Sequence, residues 1–224
     1  MRINQFVAQA TGLSRRSADA AIADGRVTVW DRPAVLGTEV TPSADIRLDG
    51  NPLRIPNAFR YIMLNKPPGY ISSRAQQGKN PTLYALLPAE YQSLRITGRL
   101  DRDSSGLVIL TDDGDFIQRH THPSYGKQKV YEVTLNRTLT TDDHSRLEAG
   151  IVLDDGISRV NIMSRLGRTV TLGLGEGRNR QIRRTFDALG LEVERLHRTA
   201  MGPYQLGQLQ PGSWIEISQK ETSD

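Results

Sequence analysis

The 224-residue chain contains no cysteine, which excludes disulfides, thiolate zinc sites and a cysteine nucleophile. Histidine is scarce: His120 and His122 sit two apart, and His144 and His197 are scattered. Without a helical His-x-x-x-His pair, no metal site is expected. No run of about 18 apolar residues is present to span a membrane. The first residues, Met1-Arg2-Ile3-Asn4-Gln5-Phe6, lack the apolar core of a signal peptide. A soluble cytoplasmic protein without a membrane partner is therefore expected. Gly173, Gly175 and Gly177 miss both the dinucleotide and the P-loop fingerprints. Ser104-Ser105 has no adjacent histidine and forms no nucleophile elbow. There is no internal repeat and no low-complexity run.

What is present is mildly basic. The formal net charge is +4 and the pI is near 9.5, which suits a nucleic-acid partner but also many unrelated enzymes. A chain of this length buries one substantial core, or one medium domain and one small one. Ile3, Phe6, Val7 and Ala10 repeat at helical spacing up to Gly12. Ser14 suits the N-cap of a second helix carrying Ala18, Ala21 and Ile22, closed by Gly25. Val27-Thr28-Val29-Trp30 is β-rich, and Val40 and Ile46-Arg47-Leu48 suggest further strands. Pro52, Pro56 and Asn57 then break the pattern, which places a linker over residues 54–59.

Beyond Phe59 strands outnumber helices. Tyr61-Ile62-Met63-Leu64, Arg95-Ile96-Thr97 and Leu107–Leu110 read as strands, as do Glu192–Leu196 and Trp214–Ile217. Lys129–Leu135 and Thr169–Leu174 alternate with period two. Phe116–His120 and Ile182–Leu189 read as helices, the second closed by Gly190. Without a βαβ rhythm, the expected class is α+β, with a mixed, mainly antiparallel sheet. Gln219–Asp224 is expected to fray.

Two stretches carry the chemistry. Gly98-Arg99-Leu100-Asp101-Arg102-Asp103-Ser104-Ser105-Gly106 puts one acid between basic residues and a Gly/Ser turn. Asp101 is either an ordinary turn cap or a buried catalytic carboxylate, which would need a cationic partner such as Arg183. Further on, Arg178, Arg180, Arg183 and Arg184 crowd the start of a helix, where the helix dipole repels cations. An anionic ligand would offset that cost, and phosphate matches arginine forks. Tyr131 and Lys129 share one strand face, either as packing or as a stacking platform for a base. Lys66 opens the rigid Lys66-Pro67-Pro68-Gly69 turn.

Together these motifs resemble the RsuA-type family of bacterial pseudouridine synthases, RluB-like members included. The resemblance rests on Asn65-Lys66-Pro67-Pro68-Gly69, Gly98-Arg99-Leu100-Asp101, Lys129-Val130-Tyr131-Glu132-Val133, Glu176–Arg184 and Leu196-His197-Arg198, all in the family's order. Thr185 stands where the family often has Met after Arg-Arg. Met1–Ala8, Gly12–Asp19 and Gly25–Val29 resemble an S4 RNA-binding module, although Trp30-Asp31-Arg32 replaces its usual Asn-Gly-like turn. The resemblance implies an S4-like domain over residues 1–53 and a catalytic domain over 60–220. It implies isomerisation of a ribosomal RNA uridine without cofactor or metal, with a lean towards large-subunit RNA, by a monomer. Asp101 would be the catalytic carboxylate, whether as nucleophile or as base. Arg183 would pair with it, Tyr131 would stack on the flipped base and Leu196 would pack against it. Lys66, Arg99, Lys129, Arg178, Arg180 and Arg184, with Arg15, Arg16 and Arg26 of the first module, would hold RNA backbone. The competing readings are a non-catalytic RNA-binding or ribosome-assembly factor on the same fold, and a magnesium-dependent phosphate-processing enzyme.

Overall fold

The computed structural model describes residues 1–56 and 58–218. Asn57 of the expected linker and the tail Gln219–Asp224 lie outside the described residues. The chain forms two compact units, one of Met1–Arg60 with Asp112–Gly114, the other of Tyr61–Thr111 with the chain from Asp115 onward.

In the first unit, helices α1 (Ile3–Thr11) and α2 (Arg15–Ala23) accompany a four-stranded antiparallel sheet. Its strands are β1 (Val27–Val29), β2 (Arg32–Pro33), β3 (Ile46–Leu48) and β4 (Asn51–Pro52), in the order β2-β1-β3-β4. Ile3, Phe6, Val7, Ala18, Ile22, Val27 and Ile46 are buried together, as the helical period requires. Gly12 closes α1 at φ 75°, its N–H reaching the Ala8 carbonyl at 3.0 Å; this is the left-handed C-terminal cap. The Ser14 hydroxyl accepts the Ser17 N–H at 3.0 Å and caps α2. Trp30 and Asp31 form the two-residue loop between β1 and β2, with φ of 49° and 61°. Positive φ at both central residues is what a tight hairpin loop demands, so the departure from Asn-Gly changes the residues and not the sign of φ.

The second unit is built on a nine-stranded sheet. Its strands are β5 (Tyr61–Lys66), β6 (Arg95–Thr97), β7 (Ser105–Thr111), β8 (Lys129–Leu135), β11 (Asn161–Leu166), β12 (Thr169–Leu174), β13 (Val193–Met201), β14 (Tyr204–Gln205) and β15 (Trp214–Glu216). The hairpin β9 (Ile151–Leu153) and β10 (Gly156–Ser158) stands apart as a two-stranded sheet. Helices α3 (Gly114–Thr121), α4 (Thr141–Ala149) and α5 (Gln181–Asp187) complete the chain. The sheet runs β11-β12-β8-β13-β7-β5-β15, with β14 on β13 and β6 on β7. The pairing of β13 with β7 is parallel and the other pairings are antiparallel. The class is thus α+β with a mixed, mainly antiparallel sheet.

Every residue of β7 is buried, as expected of a strand covered on both faces. β8 alternates buried and partly exposed positions throughout, matching its period in the sequence. β13 continues to Met201, five residues past its expected end, because its second half pairs with the first half of β8. Between Asn136 and Arg168, where no element is read from the sequence, lie α4, β9, β10 and β11.

One close approach governs the centre of this unit. Gly106 lies beside Arg198 in the parallel β7–β13 register. A Cβ on Gly106 would meet the Arg198 carbonyl oxygen at 2.2 Å and its nitrogen at 2.5 Å. Glycine lets the two backbones touch here, and this contact sets where the loop leading into β7 can lie.

Candidate active site

That loop, residues 98–104 between β6 and β7, carries Asp101 and is held from several sides. The Ser72 hydroxyl donates to the Leu100 carbonyl at 2.7 Å and accepts the Leu100 N–H at 3.2 Å. The Gly69 N–H donates to the Arg102 carbonyl at 2.7 Å, and the Ser104 N–H to the Asp101 carbonyl at 3.1 Å. The Lys66 ammonium donates to the Ser104 carbonyl at 2.6 Å and the Pro67 carbonyl at 3.1 Å. Arg198 spans the loop's base, donating through Nη2 to Gly98 O at 2.6 Å and through Nε to Leu107 O at 2.7 Å. Bonds to so many backbone carbonyls leave the loop little freedom.

The Asp101 side chain is 35% exposed, so it is not deeply buried. It opens into a cleft of about 930 Å³, which Arg99, Lys129, Tyr131, Arg178, Arg180 and Arg198 also line. Tyr131 is buried, and its hydroxyl accepts Arg198 Nη1 at 3.5 Å. Lys129 and Tyr131 lie on the same face of β8, as alternation requires.

Several expected roles meet a different arrangement. The cation nearest Asp101 is Arg180, at 3.7 Å. Arg183 is not paired with Asp101: its Nε lies 3.3 Å from the Asp103 carboxylate and its Nη1 donates to the Val193 carbonyl. From the first turn of α5 the side chain reaches Asp103, two residues further along the loop. Arg180 also donates to both Asp103 oxygens at 3.2 Å. Burial pushes the Asp103 carboxyl up, but the Arg180 hydrogen bond and the charges of Arg183 and Arg180 outweigh it, so the net direction is down. Arg183 and Arg184 line a second cleft, of about 740 Å³, which shares Asp103 and Arg180 with the first.

Lys66 is fully buried, and its ammonium is spent on the carbonyls that shape the loop. It is therefore not an RNA-backbone contact at the surface. Burial brings its pKa down to about 8. Leu196 is buried in the hydrophobic core and lines neither cleft. It sits opposite Val133 in the β8–β13 register, in the covered middle of the sheet.

The arginine cluster at α5 is compensated within the chain. Arg178 donates to Asp155 Oδ1 at 2.6 Å and to the carbonyls of Asp155, Gly156 and Ile157. Arg184 bonds Asp154 and Asp155, the latter at 2.7 Å. Acids from the β9–β10 turn thus offset the unfavourable helix dipole that an external anion was expected to offset. In the first unit, Arg15 and Arg16 are exposed at the start of α2, and Arg26 makes a bidentate bond to Asp49.

Arg198, Asp103 and Ser72 hold this site, and the motifs alone assign no site role to any of them. For Arg198 a signal exists: Leu196 and Arg198 alternate in phase on one strand, and a cation in the buried phase needs a reason. Among the described residues no three His, Asp or Glu side chains converge as metal ligands would, and no helix is long and apolar enough to cross a membrane. What the cleft offers is a braced loop with two carboxylates, Asp103 bonded by Arg180 and Asp101 left with a longer contact to it, an aromatic ring and a surplus of cations. That set suits chemistry on a planar base carried by a polyanion.

Residues 60–188 match the family described as RNA pseudouridylate synthase. A relative from Aquifex aeolicus (strain VF5), named an uncharacterized RNA pseudouridine synthase, is 37% identical over 99% of this chain and 92% of its own length. The ribosomal small subunit pseudouridine synthase A of Escherichia coli (strain K12) is 36% identical, covering 99% of this chain and 98% of the relative. A solved structure titled as a pseudouridylate synthase superposes with a TM-score of 0.69 at 30% identity, covering 99% of this chain and 97% of its own. Similarity along nearly the whole length, together with a braced aspartate in a cationic cleft, makes the chain a member of the RNA pseudouridylate synthase family.

Proposed function

We propose that this enzyme converts one uridine of ribosomal RNA to pseudouridine, with Asp101 as the catalytic carboxylate. The observation that carries the reading is the placement of Asp101, partly exposed on a loop pinned by Ser72, Lys66, Gly69 and Arg198, in the same cleft as Tyr131. Isomerisation breaks the bond between the sugar C1′ and N1 of uracil, turns the base, and joins C1′ to C5; the C5 proton leaves and N1 regains one. No atom is gained or lost, so the site needs orientation and one acid–base or nucleophilic group. A rigid loop supplies the first and Asp101 the second. The target must leave its stack to reach this carboxylate, and the Tyr131 ring offers a surface to receive it.

Under this reading Arg180 and Arg183 act through Asp103, fixing the loop from the side of α5. Residues 1–53 serve as an S4-like RNA-binding unit, with Arg15 and Arg16 at the N-terminus of α2, where phosphate is favoured. Under this reading the target lies in small-subunit RNA and not in large-subunit RNA, a choice supported by the similarity to the small-subunit enzyme along almost the whole of both chains.

The test is carbodiimide primer-extension mapping on small- and large-subunit rRNA transcripts, with Asp101→Asn alongside. One new stop on the small-subunit transcript is expected, absent with Asp101→Asn, whose RNA affinity stays near wild type. Activity of the variant within tenfold of wild type would falsify the assignment of Asp101. Tight binding without a stop on either RNA would favour an RNA-binding factor on this fold.

A further inference from the structure

Two cations in the cleft stand apart from the others. Lys129 and Arg198 are 7% and 1% exposed, yet both line the cleft that holds Asp101. Among the described residues neither meets a carboxylate. Arg198 donates to the carbonyls of Leu107 and Gly98 and to the Tyr131 hydroxyl, and Lys129 donates to the Lys127 carbonyl at 3.2 Å. By contrast Arg178 and Arg180, on the same cleft, are matched by Asp155, Glu176, Asp103 and Asp101.

A buried charge without a counter-charge is costly even when its hydrogen bonds are partly satisfied. Two of like sign compound the cost: burial and the charge of Arg198 both push the Lys129 ammonium down. The pair is brought together by the β8–β13 register, which sets Arg198 opposite Tyr131 and Met201 opposite Lys129. The cleft as a whole carries six guanidinium or ammonium groups against the carboxylates of Asp101 and Asp103. Such a site carries an excess of positive charge that an anion would offset.

We infer that Lys129 and Arg198 form a phosphate subsite, binding a phosphodiester that flanks the target uridine while Tyr131 receives the base. This rests on the proposed function and names the group those two cations bind. A phosphodiester offers one full negative charge and accepts hydrogen bonds from both side chains, which a neutral uracil carbonyl does not match. Its charge also offsets the mutual repulsion of the two cations. The Lys129 interaction is separable from the fold because its ammonium bonds one carbonyl; Arg198 braces the Asp101 loop and is unsuited to a clean test.

The experiment uses an RNA stem–loop that the wild-type enzyme modifies, with a neutral methylphosphonate placed at either linkage flanking the target. One of the two replacements is expected to lower wild-type kcat/KM by about 10- to 100-fold, the scale of one charge-assisted hydrogen bond. Lys129→Met should lose a similar factor on unmodified RNA, and the combination should lose little more, because both remove the same interaction. Lys129→Arg should recover most of the activity and restore sensitivity to the methylphosphonate. Full, multiplying losses would overturn the subsite, as would wild-type indifference to both replacements, an arm that needs no variant to fold. Absence of turnover by wild type on unmodified RNA would instead remove the proposed function itself, and the subsite with it.

Discussion

Gly106 shows how one residue determines the site. It adopts φ 109°, which L side chains rarely take, and any Cβ would press into the Arg198 backbone. Two penalties therefore act on Gly106→Ala: an unfavourable backbone conformation and overpacking against a strand that cannot yield without moving Arg198. Together they are expected to destabilise the protein by about 3 kcal/mol or more. Because Arg198 bonds both Gly98 and Leu107, displacing it should also shift the Asp101 loop and cut turnover more than RNA affinity. Urea unfolding and single-turnover rates check both. A variant within about 1 kcal/mol of wild type, close to the range of a neutral surface change, would show that β13 does not sit as close as described. Thr185 makes a smaller point at the same scale. Its hydroxyl donates to the Gln181 carbonyl and accepts from the Ser158 hydroxyl, both at 2.8 Å, so this position is a hydrogen-bonding anchor for α5, a role methionine could not fill.

At the scale of the element, α4 is the helix whose start is best specified by local chemistry. Thr140 accepts the Asp143 N–H at 3.1 Å, and Asp143 accepts the Thr140 N–H at 2.9 Å, which closes a reciprocal capping box. Arg137 donates to Asp143 at 2.6 Å. The Asp143 side chain is 6% exposed. The Arg137 hydrogen bond is the largest influence on Asp143. With the Thr140 bonds and the Arg137 charge it outweighs burial, and the carboxyl is held far below the usual value of 3.8. A carboxyl depressed in the folded state contributes stability above its unfolded pKa and loses it as pH falls through the folded one. Asp143→Ala is therefore expected to cost about 2 kcal/mol at neutral pH. The gap from wild type should narrow as pH drops below about 4. Urea midpoints at neutral pH and in acid measure this, and a gap that does not shrink would assign the loss to packing.

For the molecule as a whole, the relevant quantity is where solvent-exposed positive charge can meet the polyanion. Arg178 and Arg184 are half-buried and bonded to Asp155 and Asp154, and Arg15 and Arg16 are exposed at a helix start. Removing one cation–phosphate interaction reduces the slope of log affinity against log salt by about 0.7 to 0.9. Replacing Arg15 and Arg16 by alanine is thus expected to flatten the salt dependence of rRNA binding by about 1.5. Replacing Arg178 and Arg184 should instead lower thermal stability with a smaller change in slope. Filter binding across a salt series separates the two, and an unchanged slope for the Arg15 and Arg16 pair would deprive the first unit of its RNA-binding role.

Short-range chemistry is readable from the chain itself. The Gly12 and Ser14 caps, the period of β8, the buried run of β7 and the loop carrying Asp101 all depend on residues a few positions apart. The capping box of α4 is equally local, with Thr140 and Asp143 at the required spacing, but without an apolar period beside it no helix is read there. The choice of partner is not readable. Arg180 reaches Asp103 across 77 positions, and Arg198 reaches Gly98 across 100. Those encounters depend on the parallel meeting of β7 and β13 and on the acids of the β9–β10 turn. Several arginines of like charge and equal reach compete for one aspartate, and sequence spacing cannot rank them. Strand register decides that Lys66 and Leu196 are buried and that Lys129 and Arg198 face the cleft without a carboxylate partner, and the placement of the α5 N-terminus decides that Arg180 stands beside Asp101. The amino-acid sequence by itself determined the elements with a strong local period and the kind of chemistry they carry; the tertiary structure decided the elements between Asn136 and Arg168 and which charges meet, because those are settled by packing and pairings between distant segments.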